Sequence, residues 1–335
     1  MLKAAIIGSG FIGDTHASAY QNIDGVKLVA IADLNEEAGK KAAEKYNAAF
    51  YKNAEEMLKN EEIDIVDVCL PTFLHEEFVL LAAKHKKHVL CEKPFALSLE
   101  SARRMINATS QAGVKFMIAQ VIRFWPEYVL IKDYFQKGKI GDLKMVYCSR
   151  LAQHPNWTTW HKDPAKSGGA LYDMHLHDID YMHYLFGEVE SVFATGAISE
   201  TGCWNHVMST LRFKNGQFAT VEGAMDMTDN YPFTMFFRAV GSEGTLDYRF
   251  IAGFNLENVG GAVRNTVYYQ NNKQPEEIKV EIYDAYQKEI EYFIACVLND
   301  KPIEVISPEE SFKVLKVIQA IQVSLETHEM VRLSE

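Results

Sequence analysis

Along its first third the chain alternates short, nearly unbroken apolar runs with stretches whose apolar residues recur every three or four positions. The runs "KAAIIG" (3–8), "KLVAIAD" (27–33), "IDIVDVCLP" (63–71), "KHVLCEKP" (87–94) and "VKFMIA" (114–119) read as strands buried on both faces. The periodic stretches at 11–23, 35–46, 74–85 and 98–112 read as amphipathic helices. Strands and helices in this alternation predict a parallel sheet with right-handed crossovers, a doubly wound α/β domain of the Rossmann type over 1–120.

After Gln120 the rhythm changes. A helix is expected over 126–136, a long strand at 142–151 and a helix over "ALYDMHLHDIDYMHYLFG" (170–187). "SVFATGAI", "HVMSTLRF", "FATVEGAM", "FTMFFRAV", "GTLDYRF", "RNTVYYQ" and "EIKVEI" then read as strands joined by turns, which predicts a mainly antiparallel sheet. Helices near 283–298 and 308–328 complete a second, α+β domain over 121–335.

A length of 335 residues allows two such cores. The formal charge of −11 disfavours nucleic acid, whose phosphates need lysine and arginine. Five cysteines without a C-x-x-C pair argue against a disulfide scaffold and a zinc ribbon. No signal-peptide pattern opens the chain, and no apolar run approaches the ~20 residues needed to span a bilayer. A soluble cytoplasmic protein without membrane contact is expected.

"GSGFIG" places Gly8, Gly10 and Gly13 between the first strand and the first helix, with Phe11 and Ile12 inside the loop. In that context G-x-G-x-x-G predicts a pyrophosphate seat: a tight turn, a close backbone approach, and a helix N-terminus facing the anion. Asp33, twenty residues beyond Gly13, ends the second strand. A carboxylate there accepts from ribose hydroxyls and repels a 2′-phosphate, which favours NAD over NADP. Capping the next helix is a second role open to it. Lys93, in "CEKPF", ends a strand on the carboxyl edge of the sheet, where ligands of doubly wound folds bind. There it could hold a substrate hydroxyl and steady a developing alkoxide.

On a helical wheel with Asp173 at zero, His177 falls at about 40°, Asp180 at about −20° and Tyr184 at about 20°, one polar stripe. Met174, Ile179, Met182, Leu185 and Phe186 form the apolar face. His175 lands inside that face and reads as a core histidine, while Asp178 has no assignable role. Asp173 four residues before His177 can orient the imidazole and raise its basicity, which suits removal of a hydroxyl proton. Asp180 would have to join a metal site, but no further ligand pattern supports one. Arg123, Trp125, His154, Trp157, Trp160 and Tyr172 are candidate sugar contacts or packing residues.

Taken in order, "GSGFIG", Asp33, "PTFLHEE", "HVLCEKP" and "SGGALYDMHLHDID" resemble the glucose-fructose oxidoreductase, inositol dehydrogenase and rhizopine catabolism (Gfo/Idh/MocA) family, and the likeness covers nearly the whole chain. The resemblance implies NAD(P)-dependent hydride transfer to or from a secondary alcohol or ketone of a sugar or cyclitol. It also implies a homodimer or homotetramer formed through the C-terminal sheet. It carries catalytic roles to Lys93, Asp173 and His177 and cofactor contacts to Pro71 and His75; Leu70, Thr72, Glu92 and Lys93 are further candidates at the cofactor, and Arg123 and Trp160 at the substrate. Two departures, His175 and Ser167 where the family carries glycines, bear on the substrate pocket. A redox-elimination glycosidase, a non-catalytic nucleotide sensor and an imino reductase using Arg123 or Arg150 are the alternatives.

Overall fold

The computed structural model describes residues 1–155, 159–252 and 262–333. The chain forms two units, Met1–Phe124 with Asp284–Phe312, and Trp125–Tyr283 with Lys313–Glu335.

In the first unit six parallel strands are ordered β3-β2-β1-β4-β5-β6. They are β1 (Leu2–Ile7), β2 (Val26–Ala32), β3 (Ala49–Tyr51), β4 (Ile65–Val68), β5 (His88–Cys91) and β6 (Phe116–Ile118), and all of their pairings are parallel. Helices α1 (Phe11–Tyr20), α2 (Glu36–Tyr46), α3 (Ala54–Asn60), α4 (His75–Lys84) and α5 (Leu99–Ala112) connect them. The doubly wound order is the one that the alternating pattern predicts. Strand β3 and helix α3 were not anticipated, because three half-buried residues are too few to show a period.

One expectation needs correction. The segment 283–298 was assigned to the second domain, but Asp284–Phe312 belongs to the first unit. Its helix, α9 (Ala285–Leu298), turns Ile290, Phe293 and Ile294 into the same core as Tyr20, Ile23, Leu28 and Met117. Burying three large apolar side chains there contributes several kcal/mol, which draws the helix back across the chain. By contacts the first unit closes at Phe124, four residues beyond Gln120.

The second unit is built on a nine-stranded sheet ordered β14-β13-β12-β11-β7-β10-β9-β8-β15. Its long strands are β7 (Leu143–Leu151), β8 (Val189–Ile198), β9 (Trp204–Phe213), β10 (Phe218–Ala224), β11 (Thr234–Gly241), β12 (Gly244–Ile251) and β13 (Val263–Gln270), with two-residue strands β14 (Glu276–Glu277) and β15 (Val331–Arg332) at the edges. Among the described residues of this sheet, only β7 and β10 pair in parallel. Alternate residues of β9 are buried (Val207, Ser209, Leu211, Phe213) while Met208, Thr210 and Arg212 are exposed, so one face is covered and the other open. Helices α6 (Pro126–Gln136), α7 (Pro164–Ser167), α8 (Leu176–Phe186) and α10 (Pro308–Thr327) accompany the sheet; α10 begins in the first unit and runs into the second.

Asp178 on α8 has the role that its wheel position left open. Both of its oxygens accept from Arg150 of β7, at 2.9 and 3.1 Å, and Tyr128 of α6 donates to one of them at 3.3 Å. Burial opposes the charge on Arg150, but the Asp178 carboxylate more than offsets it and holds the guanidinium protonated. The pair ties a strand to two helices. Breaking it leaves an uncompensated buried charge. Asp178→Ala should therefore lower stability by about 3–5 kcal/mol, read as a shift of the urea midpoint, and pairing it with Arg150→Met should recover most of the loss.

His175 is fully buried, as its place on the apolar face predicted, with Nε2 2.8 Å from Ser209 Oγ. The strand beneath makes room at Gly223, where a Cβ would lie 2.8 Å from the His175 Cβ and 2.9 Å from its Cα. Burial pushes the imidazole down from 6.5 to about 3. Between those values the unfolded chain binds a proton that the folded one refuses, so stability falls as pH drops through that window, by about 1.4 kcal/mol per unit. A His175→Asn variant should show a shallower fall in Tm than the wild type between about pH 6.5 and 4.5.

Candidate functional site

In the first unit the candidate residues lie at the carboxyl edge of the parallel sheet. β1 stops at Gly8, whose φ of +100° is left-handed and whose Cβ, if present, would lie 2.3 Å from the Cys69 carbonyl oxygen. At Gly13 a Cβ would stand 2.0 Å from the Gly8 oxygen, so α1 rests directly on the strand. Gly10 has nothing within 4 Å and faces open space. It also caps α1 without any side-chain hydrogen bond. Phe11, partly exposed, and Ile12 follow it in the first turn. A cradle that a Cβ would fill, below an uncapped helix start, fits a pyrophosphate.

Asp33 follows β2. Its Oδ2 accepts from the Ser9 amide at 2.7 Å and from Ser9 Oγ at 2.6 Å, and its Oδ1 accepts from the Asn35 amide at 2.7 Å. The cap of α2 is Asn35, which accepts from Ala38, so capping is not the work of Asp33. The carboxylate is instead fastened to the glycine loop.

Leu70 and Pro71 are half-buried and Thr72 is buried in the turn after β4. His75, at the start of α4, is wholly buried, with Nδ1 2.9 Å from the Pro94 oxygen and Nε2 2.8 Å from the Leu70 oxygen. Burial holds it below its ordinary pKa, against the pull of both carbonyls. It joins two stretches of the edge and presents no surface of its own. Lys93 is half-buried beyond β5, before a cis Lys93–Pro94 peptide. Glu92 points inward, with Oε2 accepting from the Lys93 amide at 2.9 Å and Oε1 3.1 Å from His16 Nε2. Arg123 is buried too, donating to the Val305 carbonyl. These three charged or titratable side chains, expected at cofactor or substrate, are turned into the protein.

In the second unit the candidate residues lie on a helix and the turn before it. Gly168 and Gly169, with φ of +72° and +71°, lead into it, and a Cβ on either would strike Tyr172 at 2.4 Å or Cys203 at 2.7 Å. Ser167 retains a hydroxyl role, donating to the His161 oxygen at 2.9 Å and accepting from the Gly169 amide at 3.0 Å. Residues Leu171–His175 form a π-helical turn before α8. A wheel at about 100° per residue does not hold across such a turn, which corrects the single stripe. Asp173 and His177 are both half-buried, whereas Asp180 is wholly buried and Tyr184 packs its ring under Lys132 Nζ at 3.0 Å.

Of the aromatic candidates, Trp160 is half-buried and stacked on His161 at 3.8 Å, and Trp125 packs edge-on against Phe250. Tyr172 is buried with its hydroxyl donating to Gln322 at 3.0 Å, and His154 Nδ1 is 3.0 Å from the Pro155 oxygen. Trp157 lies outside the described residues. The residue that sequence reasoning missed is His16; its only signal was a histidine among the small and apolar residues of α1.

Residues 2–120 match the oxidoreductase family with an NAD-binding Rossmann fold, and residues 128–247 match the GFO/IDH/MocA C-terminal domain. The chain is 29% identical to the myo-inositol 2-dehydrogenase of Thermotoga maritima over 100% of its own length and 99% of that protein. It is 27% identical to the 2,7-anhydro-N-acetylneuraminate hydratase of Escherichia coli, covering 83% of this chain and 75% of that one. The solved aldose-aldose oxidoreductase of Caulobacter crescentus superposes with a TM-score of 0.86 over 99% of both chains at 22% identity, a likeness that speaks to the fold alone. Glycine loop, family motifs and both domain matches agree, and the chain belongs to the Gfo/Idh/MocA family of oxidoreductases.

Proposed function

We propose that the protein oxidises a secondary alcohol of an uncharged polyol or sugar with NAD, or reduces the corresponding ketone. The observation that carries this reading is the pairing of a pyrophosphate cradle with Lys93 on one carboxyl edge, in a chain 29% identical to a myo-inositol 2-dehydrogenase along its whole length. When bound, the nicotinamide supplies the two-electron acceptor. Gly8, Gly10 and Gly13 would hold the pyrophosphate and Asp33 the adenosine ribose, with Leu70, Pro71 and Thr72 along the edge. His177, oriented by Asp173, takes the hydroxyl proton, and Lys93 steadies the oxygen as its negative charge grows. The net change is CH–OH to C=O, with two electrons and one proton to the dinucleotide and the second proton to His177, then to water. Either Lys93 or His177 can serve as the immediate proton acceptor.

An uncharged substrate is supported by the fate of the arginines. Arg150 is engaged by Asp178 and Arg123 by the Val305 carbonyl, and both are buried. Neither of these two arginines is thereby offered to an anion, as an imino-acid reductase would need. A second reading, elimination and water addition at a sugar with NAD retained, is favoured by the hydratase among the relatives. It predicts turnover without net NADH.

The open face of the nine-stranded sheet carries Met145, Phe193, Met208 and Phe218, each 42–47% exposed, and we assign it to a second copy of the chain. The five buried free thiols fit a reducing compartment, the cytoplasm in this reading. Among the described residues no helix is long and apolar enough to cross a membrane.

A panel of inositols, hexoses and sugar nucleotides, followed by NADH absorbance with NAD and NADP separately, tests the assignment. Lys93→Met and His177→Asn should each reduce kcat by about 100- to 10,000-fold while NADH still binds; unchanged turnover in both refutes the roles given them. Asp33→Ala should raise KM for NAD about ten- to a hundredfold and narrow the preference over NADP. A KM for NAD that does not move would remove Asp33 from the ribose.

A further inference from the structure

We propose that His16 is a positioning residue for Lys93, acting through Glu92, so that the helix opening the glycine loop also sets the direction of the lysine. The inference rests on the reading of Lys93 as catalytic.

His16 lies three residues beyond Gly13 on α1 and is fully buried. Its Nδ1 is 2.9 Å from Asp67 Oδ2 on β4, and its Nε2 is 3.1 Å from Glu92 Oε1 at the end of β5. The other Glu92 oxygen accepts from the Lys93 amide at 2.9 Å. The imidazole thus spans two adjacent strands, and its second contact is one carboxylate away from the lysine backbone.

The charges require this bridge. Asp67 and Glu92 are 0% and 5% exposed, and a carboxylate out of water needs a counter-charge or a proton. Burial alone would empty His16 of its proton, but the Asp67 carboxylate beside Nδ1 raises it well above its ordinary value. From α9, Glu289 also faces the group, and burial, followed by Glu92, pushes its carboxyl well above the usual carboxylate range. Tyr20 on α1, Tyr286 on α9 and the Cys69 thiol are raised as well, burial first, and stay neutral. Imidazolium is therefore the cation placed to hold both carboxylates. Without it Glu92 has no fixed partner to hold its direction, and the amide of Lys93 loses its fixed acceptor.

The test compares His16→Asn, Glu92→Ala, the double variant and Lys93→Met, with thermal unfolding to confirm the fold. His16→Gln replaces the first variant if Asn does not fold. Expected for His16→Asn is a kcat at least about tenfold lower on the fastest sugar of the panel, with the NADH Kd within about threefold. The double variant should be no slower than Glu92→Ala, because both act on one contact. Hydrogen exchange at the Lys93 amide should accelerate at least about tenfold, with exchange in β1 unchanged. Additive losses, an NADH Kd that worsens in step with kcat, or unaltered exchange at Lys93 would overturn the proposal. So would a stoichiometric metal ion lost on substitution, since His16 would then be a ligand alongside Asp67 and Cys69. If Lys93→Met keeps wild-type turnover, the catalytic reading fails by itself, and exchange at the Lys93 amide alone decides whether His16 sets that turn.

Discussion

Between Gly13 and the carbonyl oxygen of Gly8 there is no room for a methyl group, since a Cβ would lie 2.0 Å from that oxygen. This one close approach governs the nucleotide-binding unit. It seats α1 on β1 and β4 and aims the helix start, with its unmatched amide groups, at the open space above Gly10. A turn later it delivers His16 into the interior beside Asp67. A larger residue at 13 would lift the helix, withdraw the anion seat and leave two buried carboxylates without their bridge. Cofactor loop and lysine turn are therefore consequences of the same packing.

The features legible in the sequence were those that depend on neighbours along the chain. Unbroken apolar runs gave five of the six parallel strands, and the glycine spacing gave the phosphate loop, because a turn and a helix start are local events. Helix α9 shows why tertiary placement is harder to read. Its period announces an apolar face, but Ile290, Phe293 and Ile294 do not say which core will receive them. The wheel drawn through Asp173 failed for another reason: the π-turn at Leu171–His175 inserts extra backbone per turn, and nothing in "LYDMH" signals it.

Charged residues were the hardest to place. Glu92 and Arg123 carry groups expected at a ligand, Asp178 has no role that its sequence position assigns, and each is buried. What reverses the expectation is a partner distant in sequence: His16 for Glu92, the Val305 carbonyl for Arg123, Arg150 for Asp178. Such pairing adds little net stability against an apolar alternative, but it penalises every arrangement that separates the partners. In this chain those pairs fall at the joints between elements, where register and direction have to be set: β5 to α1, and β7 to α6 and α8.

His175 shows how a departure from the family pattern can be absorbed. A bulky imidazole in place of a small residue would be expected to crowd the site, yet it points at the sheet, where Gly223 supplies the missing volume and Ser209 the hydrogen bond. The glycine has in effect moved from helix to strand. Asp173 and His177 remain half-buried on the same stretch. The size of residue 175 therefore bears on how firmly the helix is anchored to β10, where the Gly223 backbone meets the imidazole.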